Sequence, residues 1–180
     1  CRDEGVPPGH VAHDAGDMHV DMLQVGKGVI GMSRAPGRKR KGTVRDLEKD
    51  IACIKEKGFD VIVTLIEERE LMVMGCERMA DAVQSSGMEW LHFPIRDKWI
   101  PDSTSTFLTK AVWPIARLLQ DGKKVLVHCN GGKGRTGTVV ASVLMTPMAQ
   151  GELRARSVSD AIRTMRECRK GMLINPLQQL

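Results

Sequence analysis

A cysteine and an arginine bracket five residues, three of them glycine, inside the stretch V-L-V-H-C-N-G-G-K-G-R-T-G, Val125 to Gly137. The apolar run before them reads as a buried strand that delivers Cys129 to a turn. Gly131, Gly132 and Gly134 let the backbone curl so that successive N–H groups point inward. Such a nest at the start of a helix binds a phosphate-sized dianion. The phosphate-binding set is then Asn130, Gly131, Gly132, Lys133, Gly134 and Arg135, with Arg135 folding back to hold two oxygens bidentately. The same field favours the thiolate form of Cys129. A thiolate beneath a bound phosphate monoester is placed for in-line attack on phosphorus.

The C-x5-R spacing alone is weak, because chance produces it often. The preceding strand, the three glycines, the Thr136-Gly137 pair and the helix after them make it specific. The rival for a Gly-rich strand–loop–helix is a nucleotide-binding loop of the form G-x-x-x-x-G-K-[ST], and it fails because Lys133 is followed by Gly134. A metal site is not expected. His10, His13 and His19 have no Cys or carboxylate cluster to complete one, and they read as loop histidines.

The elements that must position these residues follow from the pattern. Residues 1–19 are rich in Gly, Pro and acid and read as a flexible arm or linker before a single domain, 20–180. Val20–Val25 and Gly28–Met32 look like a strand pair, and Ser33–Gly42 is a basic loop. Residues 44–57 carry Val44, Leu47, Ile51 and Ile54 at helical spacing. Val61–Ile66 reads as a strand buried on both faces, 76–86 as a short helix and Met88–Pro94 as another strand. After the loop Ile95–Asp102, Ser103 caps a helix to about Gln120. Lys124–His128 is the strand before the glycine loop. Helices begin near Gly134, running to about Pro147, and span about Val158–Cys168. Strands alternating with helices imply an α/β fold, a mostly parallel twisted sheet covered on both faces.

Composition fits that reading. The 180 residues are 42% hydrophobic and 27% charged, which excludes wholesale disorder, and no apolar run is long enough to span a membrane. Aromatics are 3% with no Tyr, so stacking on single-stranded nucleic acid has little to work with, and the 11 Met do much of the core filling. The net charge of +5 favours an anionic partner. Arg38–Lys41 is either a nuclear-import or nucleic-acid patch or a solvated basic loop that attracts acidic substrate, and the second is favoured, with no nucleic acid expected. Five widely spaced cysteines without a C-x-x-C pair fit free thiols in a reducing compartment, cytoplasmic or nuclear. Cys53 and Cys76 are resolving partners for Cys129 or, as favoured, core residues. The chain opens at Cys1, which reads as an excised piece and leaves room for a targeting segment before it.

H-C-N-G-G-K-G-R-T-G resembles the signature loop of the cysteine-dependent protein phosphatases, tyrosine-specific and dual-specificity. A-P-G-R-K-R-K-G-T-V-R-D-L-E-K-D-I-A-C-I-K-E-K-G, F-P-I-R-D-K-W-I-P-D and the terminal G-M-L-I-N-P-L-Q-Q-L resemble, in order and spacing, the kinase-associated phosphatase (cyclin-dependent kinase inhibitor 3) subfamily. The resemblance implies a dual-specificity-phosphatase-like domain with Cys129 as nucleophile, Arg135 on the phosphoryl oxygens, Thr136 hydrogen-bonding the sulfur, and His128 fixing the loop. It implies a general acid at Asp97, with Asp102 the competitor unless it only serves the start of the helix at Ser103. Asn175 matches a position where the superfamily often has a water-orienting Gln, and Gln179 matches a second Gln. No metal or other cofactor is implied. The implied partners are a phosphorylated protein, a kinase among the candidates, and an oxyanion in the pocket. Lys133 and Lys98 either add charge at the pocket or point to solvent. Two other readings stay open: an inositol-phosphate or phosphoinositide phosphatase using the same loop, and a phosphoprotein-binding module without turnover.

Overall fold

The computed structural model describes residues 12–13, 16–40, 43–99, 101–147, 155 and 157–172. In chain order its strands are β1 (Ala12–His13), β2 (Asp21–Val25), β3 (Gly28–Ser33), β4 (Lys39–Arg40), β5 (Thr43–Val44), β6 (Val61–Thr64), β7 (Glu89–His92) and β8 (Lys124–His128). Five of them form the main sheet in the order β2-β3-β8-β6-β7. Only the β2–β3 hairpin is antiparallel, and every other pair in this sheet is parallel. All four residues of β6 are buried, as are the last four of β8, as expected for β-branched runs covered on both faces.

The connections place helices on both faces. Helix α1 (Leu47–Glu56) carries the chain from β3 to β6, and α2 (Glu68–Val73) and α3 (Met79–Ser85) carry it from β6 to β7. Both crossovers step in one direction along the sheet. The next, through α4 (Thr104–Phe107) and α5 (Trp113–Gln120), steps back from β7 to β8. Parallel crossovers are right-handed, so a reversal of direction puts α5 on the face opposite α1 and α3. Helices α6 (Gly134–Met145) and α7 (Val158–Cys168) follow β8 and pack with each other. The carboxyl end of β8 therefore lies where the winding reverses, the crevice in which open α/β sheets bind ligands. Ser33 and Thr64 both pair with His128, and Thr64 also with His92, so four strand ends reach that crevice at one level.

Local chemistry sets several boundaries. Helix α1 starts at Leu47 and not at Val44, because the Asp46 side chain accepts from Lys49 N at 3.0 Å, which leaves Val44 to pair in β5. The helix capped by Ser103 widens into a π turn at Leu108–Val112. Pro114 follows at once and cannot donate the amide bond that a continuous α-helix needs there. Helix α2 has no counterpart in the sequence pattern. It buries Leu71 but leaves Met72 and Val73 exposed, so no apolar stripe announces it. Within 1–19, β1 pairs with β5 and Met18 is 1% exposed, while Gly16, Asp17 and His19 are exposed, so the described part of this segment is anchored to the domain at β1 and Met18. Met18, Met32, Met79, Met165 and Met172 sit in the core.

One buried ion pair holds the turn beneath the glycine loop. Asp50 on α1 accepts from Arg45 Nη2 at 2.6 Å and Nε at 2.9 Å, and from the Gly37 amide at 2.8 Å. Arg45 also reaches Gly16 O at 2.9 Å. Replacing Asp50 by Ala leaves a guanidinium of 6% exposure without its carboxylate. Urea unfolding of Asp50→Ala is expected to lose about 3–5 kcal/mol of stability.

Candidate active site

Strand β8 ends at His128, and Cys129, 3% exposed, is the first residue past it. The chain then curls through Asn130–Lys133 and enters α6 at Gly134, the strand–loop–helix expected from sequence. Gly132 has φ +65, and a Cβ there would lie 2.1 Å from Ser33 O, so no other residue fits without moving β3. The loop is tied to the chain after β3: Asn130 O accepts from Ala35 N at 3.2 Å and Arg38 Nη1 at 3.1 Å. The basic loop is thus partly structural.

Arg135 is 3% exposed in the first turn of α6. Its partner is Glu70 on α2, which no sequence pattern singles out. Nη1 meets Glu70 Oε2 at 2.6 Å and Nη2 meets Oε1 at 2.9 Å, a bidentate pair. Nη1 also reaches Ile95 O at 3.2 Å, and Nη2 lies 3.3 Å from Asp97 Oδ1. Asn130 Nδ2 donates to the same Glu70 at 2.9 Å, so one carboxylate holds both ends of the loop. Burial opposes the charge on Arg135, but the Glu70 hydrogen bonds, then the nearby Cys129, Glu70 and Asp97 charges, outweigh it and keep the guanidinium above its ordinary value. Burial likewise opposes ionisation of Glu70, yet hydrogen bonds from Arg135 and Asn130 hold its carboxyl below the usual range. Nε of Arg135 makes no hydrogen bond among the described residues, which leaves one edge of the fork for an oxyanion.

Three strands fix His128. Trp90 Nε1 on β7 donates to Thr64 Oγ1 at 2.9 Å, and Thr64 Oγ1 lies 2.8 Å from His128 Nε2. Nε2 is thus the nitrogen that meets the Thr64 hydroxyl, and Nδ1 faces the Cys129 backbone, short of a well-formed hydrogen bond. Complete burial, with help from the charge of Arg135 and against the pull of the Cys129 backbone, lowers the His128 pKa to about 3. The imidazole is neutral. Thr136 is fully buried, and its hydroxyl makes no hydrogen bond among the described residues. The Thr136–sulfur bond implied by the resemblance is therefore not formed here.

Of the two acid candidates, the structure brings Asp97 to Arg135 and leaves Asp102 exposed just before the Ser103 cap. Asp97 is 61% exposed and rides a tight turn in which Trp99 N bonds Arg96 O at 3.1 Å and Lys98 takes φ +60. Arg96 stacks on the Trp99 ring at 5.3 Å. Lys133 is exposed, and its Nζ is 3.4 Å from where a Cβ on Gly171 would stand. Cys76 is fully buried, its thiol directed to Pro36 O at 3.3 Å, and burial pushes its pKa up to about 11, the behaviour of a core residue. Asn175 and Gln179 lie outside the described residues.

A cysteine and an arginine joined by a glycine cradle, at the carboxyl end of the central strand of such a sheet, define a cysteine-dependent phosphatase. Residues 21–149 match the family described as "Tc-R-P: Polymorphic toxin system, DSP-PTPase phosphatase", and the chain belongs to it. The protein named cyclin-dependent kinase inhibitor 3 of Rattus norvegicus is 30% identical over 116 residues, 64% of this chain and 54% of that protein. Phosphatidylglycerophosphate phosphatase PTPMT2 of Arabidopsis thaliana is 30% identical over 131 residues, 73% and 52% of the two. The chain thus spans about half the length of these curated relatives. The crystal structure of a kinase-associated phosphatase with its catalytic cysteine replaced by serine superposes with a TM-score of 0.82 at 25% identity, covering 92% of each chain.

The buried His128 links stability to pH. Its folded value of about 3 lies below the unfolded 6.5, so the unfolded chain takes up the proton first. This contribution is fully present above the unfolded value and is lost as pH falls toward the folded one, with a slope approaching about 1.4 kcal/mol per pH unit. Urea unfolding of the wild type between about pH 6.5 and 5 is expected to show that decline, and His128→Gln to flatten it.

Proposed function

We propose that the chain is the catalytic unit of a protein phosphatase that hydrolyses phosphotyrosine and phosphoserine/threonine monoesters through a phosphocysteine on Cys129. The observation that carries this is the pairing of a buried Cys129 with a buried, carboxylate-held Arg135 across one glycine loop. The Cys129 thiolate attacks phosphorus while the P–O bond to the leaving alcohol breaks. Asp97 gives its proton to that oxygen. Water then attacks the phosphocysteine, Asp97 takes up its proton, and the P–S bond breaks to release phosphate and thiolate. Arg135 and the loop amides stabilise the equatorial oxygens in both steps. No step calls for a metal, since the thiolate supplies the nucleophile.

The names of the rat relative and of the kinase-associated phosphatase make a phosphorylated kinase the first substrate to try. The family description attaches its members to polymorphic toxin systems, and we assign this chain the phosphatase part of such a system. The Arabidopsis relative named for a phospholipid phosphatase supports a second reading, lipid or inositol phosphates on the same loop. Against it, the exposed Lys133 stands over Gly171, and Met72, Val73 and Trp99, close in sequence to Glu70 and Asp97, are exposed apolar side chains suited to contact with peptide.

Turnover of an aryl phosphate in the presence of chelator tests the activity, and phosphopeptides against inositol phosphates test the substrate. Cys129→Ser is expected to abolish turnover, and retained activity would falsify the mechanism. Asp97→Ala is expected to lose about 10²–10⁴-fold in kcat, with little loss in Asp102→Ala. The reverse result moves the acid to Asp102.

A further inference from the structure

We infer that Arg169, braced by Asp21, sets the direction of the loop amides that receive the phosphoryl oxygens. This makes it a positioning residue for the reaction proposed above, on which the inference rests. In a planar trans peptide the C=O and the following N–H point in opposite directions. A partner that holds a loop carbonyl outward therefore turns the next amide inward. Asn130 O is held by Ala35 N and Arg38. Lys133 O accepts from Gly137 N at 2.9 Å, and Gly134 O from Thr138 Oγ1 at 3.2 Å, both in the opening turn of α6 and its cap. Among the described residues, the two carbonyls between them depend on one side chain: Arg169 Nε donates to Gly132 O at 2.9 Å and Nη2 to Gly131 O at 3.4 Å. The amides they turn are those of Gly132 and Lys133.

Neither Gly131 nor Gly132 carries a Cβ that would fix the orientation of these peptide groups. Gly131 has no protein atom within 4 Å of where a Cβ would stand, and Gly132 sits in the left-handed region. Nothing in their own side chains restrains rotation. A cation on the carbonyl side also polarises both peptide units, which strengthens their N–H groups as donors to an oxyanion.

The mount is rigid. Arg169 is the residue at which α7 ends: its N still bonds Met165 O at 2.8 Å, but φ −133 and ψ 103 leave the helix. Nη1 is hydrogen-bonded to Asp21 Oδ2 on β2, and the two side chains are 13% and 14% exposed. Arg166 Nε closes the following turn on Met172 O at 3.1 Å, around Gly171 at φ +79. Every nitrogen of the Arg169 fork is thus committed to the loop or to its brace.

The experiment compares Arg169→Met, Arg169→Lys and Asp21→Asn with the wild type, using an aryl phosphate and orthovanadate, with unfolding midpoints measured alongside. Wild-type turnover and vanadate inhibition come first. Their absence overturns the phosphatase reading and this inference together. In an active background, folded Arg169→Met is expected to lose about 10- to 100-fold in kcat and to raise the vanadate Ki by a similar factor. Arg169→Lys recovers part of both, because one ammonium reaches one carbonyl. Asp21→Asn shifts both in the same direction by less, and it carries the comparison if Arg169→Met does not fold. Turnover and vanadate Ki within about twofold of wild type in the folded variants, or a loss that tracks only the unfolded fraction, overturns the inference while the phosphatase reading stands.

Discussion

A guanidinium buried beside a sulfur nucleophile needs a counter-charge that leaves one of its edges open, and Glu70 meets that need. Its carboxylate takes both Nη groups of Arg135 from the side of α2 and accepts from Asn130 as well. An unpaired buried charge would cost several kcal/mol, so the pair is a condition for Arg135 to stand at the start of α6 at all. Geometry follows from it. With two nitrogens held, the plane of the guanidinium is set before any anion arrives, and no rearrangement is needed when charge develops on the phosphoryl group.

The rest of the fold works to bring that pair to the carboxyl end of β8. The reversal of winding between α1 and α5 opens a crevice there, and four strand ends meet in it at the level of His128. Rigid parts and an exposed part divide the chemistry. Cys129 and Arg135 are seated on a strand end and a helix start within the core. Asp97 rides an exposed turn with a left-handed Lys98 and meets Arg135 from the solvent side, where the proposed mechanism has it give its proton.

Basic residues serve the loop from two directions. The net charge of +5 reads from sequence as a field for anions. Arg38 and Arg169, however, donate to backbone carbonyls of the loop itself. Positive charge on the outside of a ring of peptides and negative charge at its centre are one arrangement seen from two sides. The same frame explains the neutral His128: buried beneath the cradle beside Arg135, it holds the strand end through Thr64 and adds no charge of its own.

The nucleophile, its arginine and the strand–loop–helix that joins them are legible in the residues, because each signal is local. An apolar β-branched run, glycines where the backbone must curl, and a helix beginning at Gly134 lie within thirteen consecutive residues, Val125 to Gly137. The α/β class follows from alternating periodicity, and α7 has the bounds its pattern predicts. Glu70, 65 residues from Arg135 in the chain, and Thr64, 64 from His128, leave no such mark. Helix α2 hides its role because its one buried apolar residue makes no stripe and its functional carboxylate resembles any surface acid. A sequence can declare what a segment will do with its own neighbours. Which distant carboxylate meets a buried cation, and which guanidinium turns a glycine amide inward, is decided only when strand order brings those elements within hydrogen-bond reach, since such bonds act over about 3 Å and carry no periodicity.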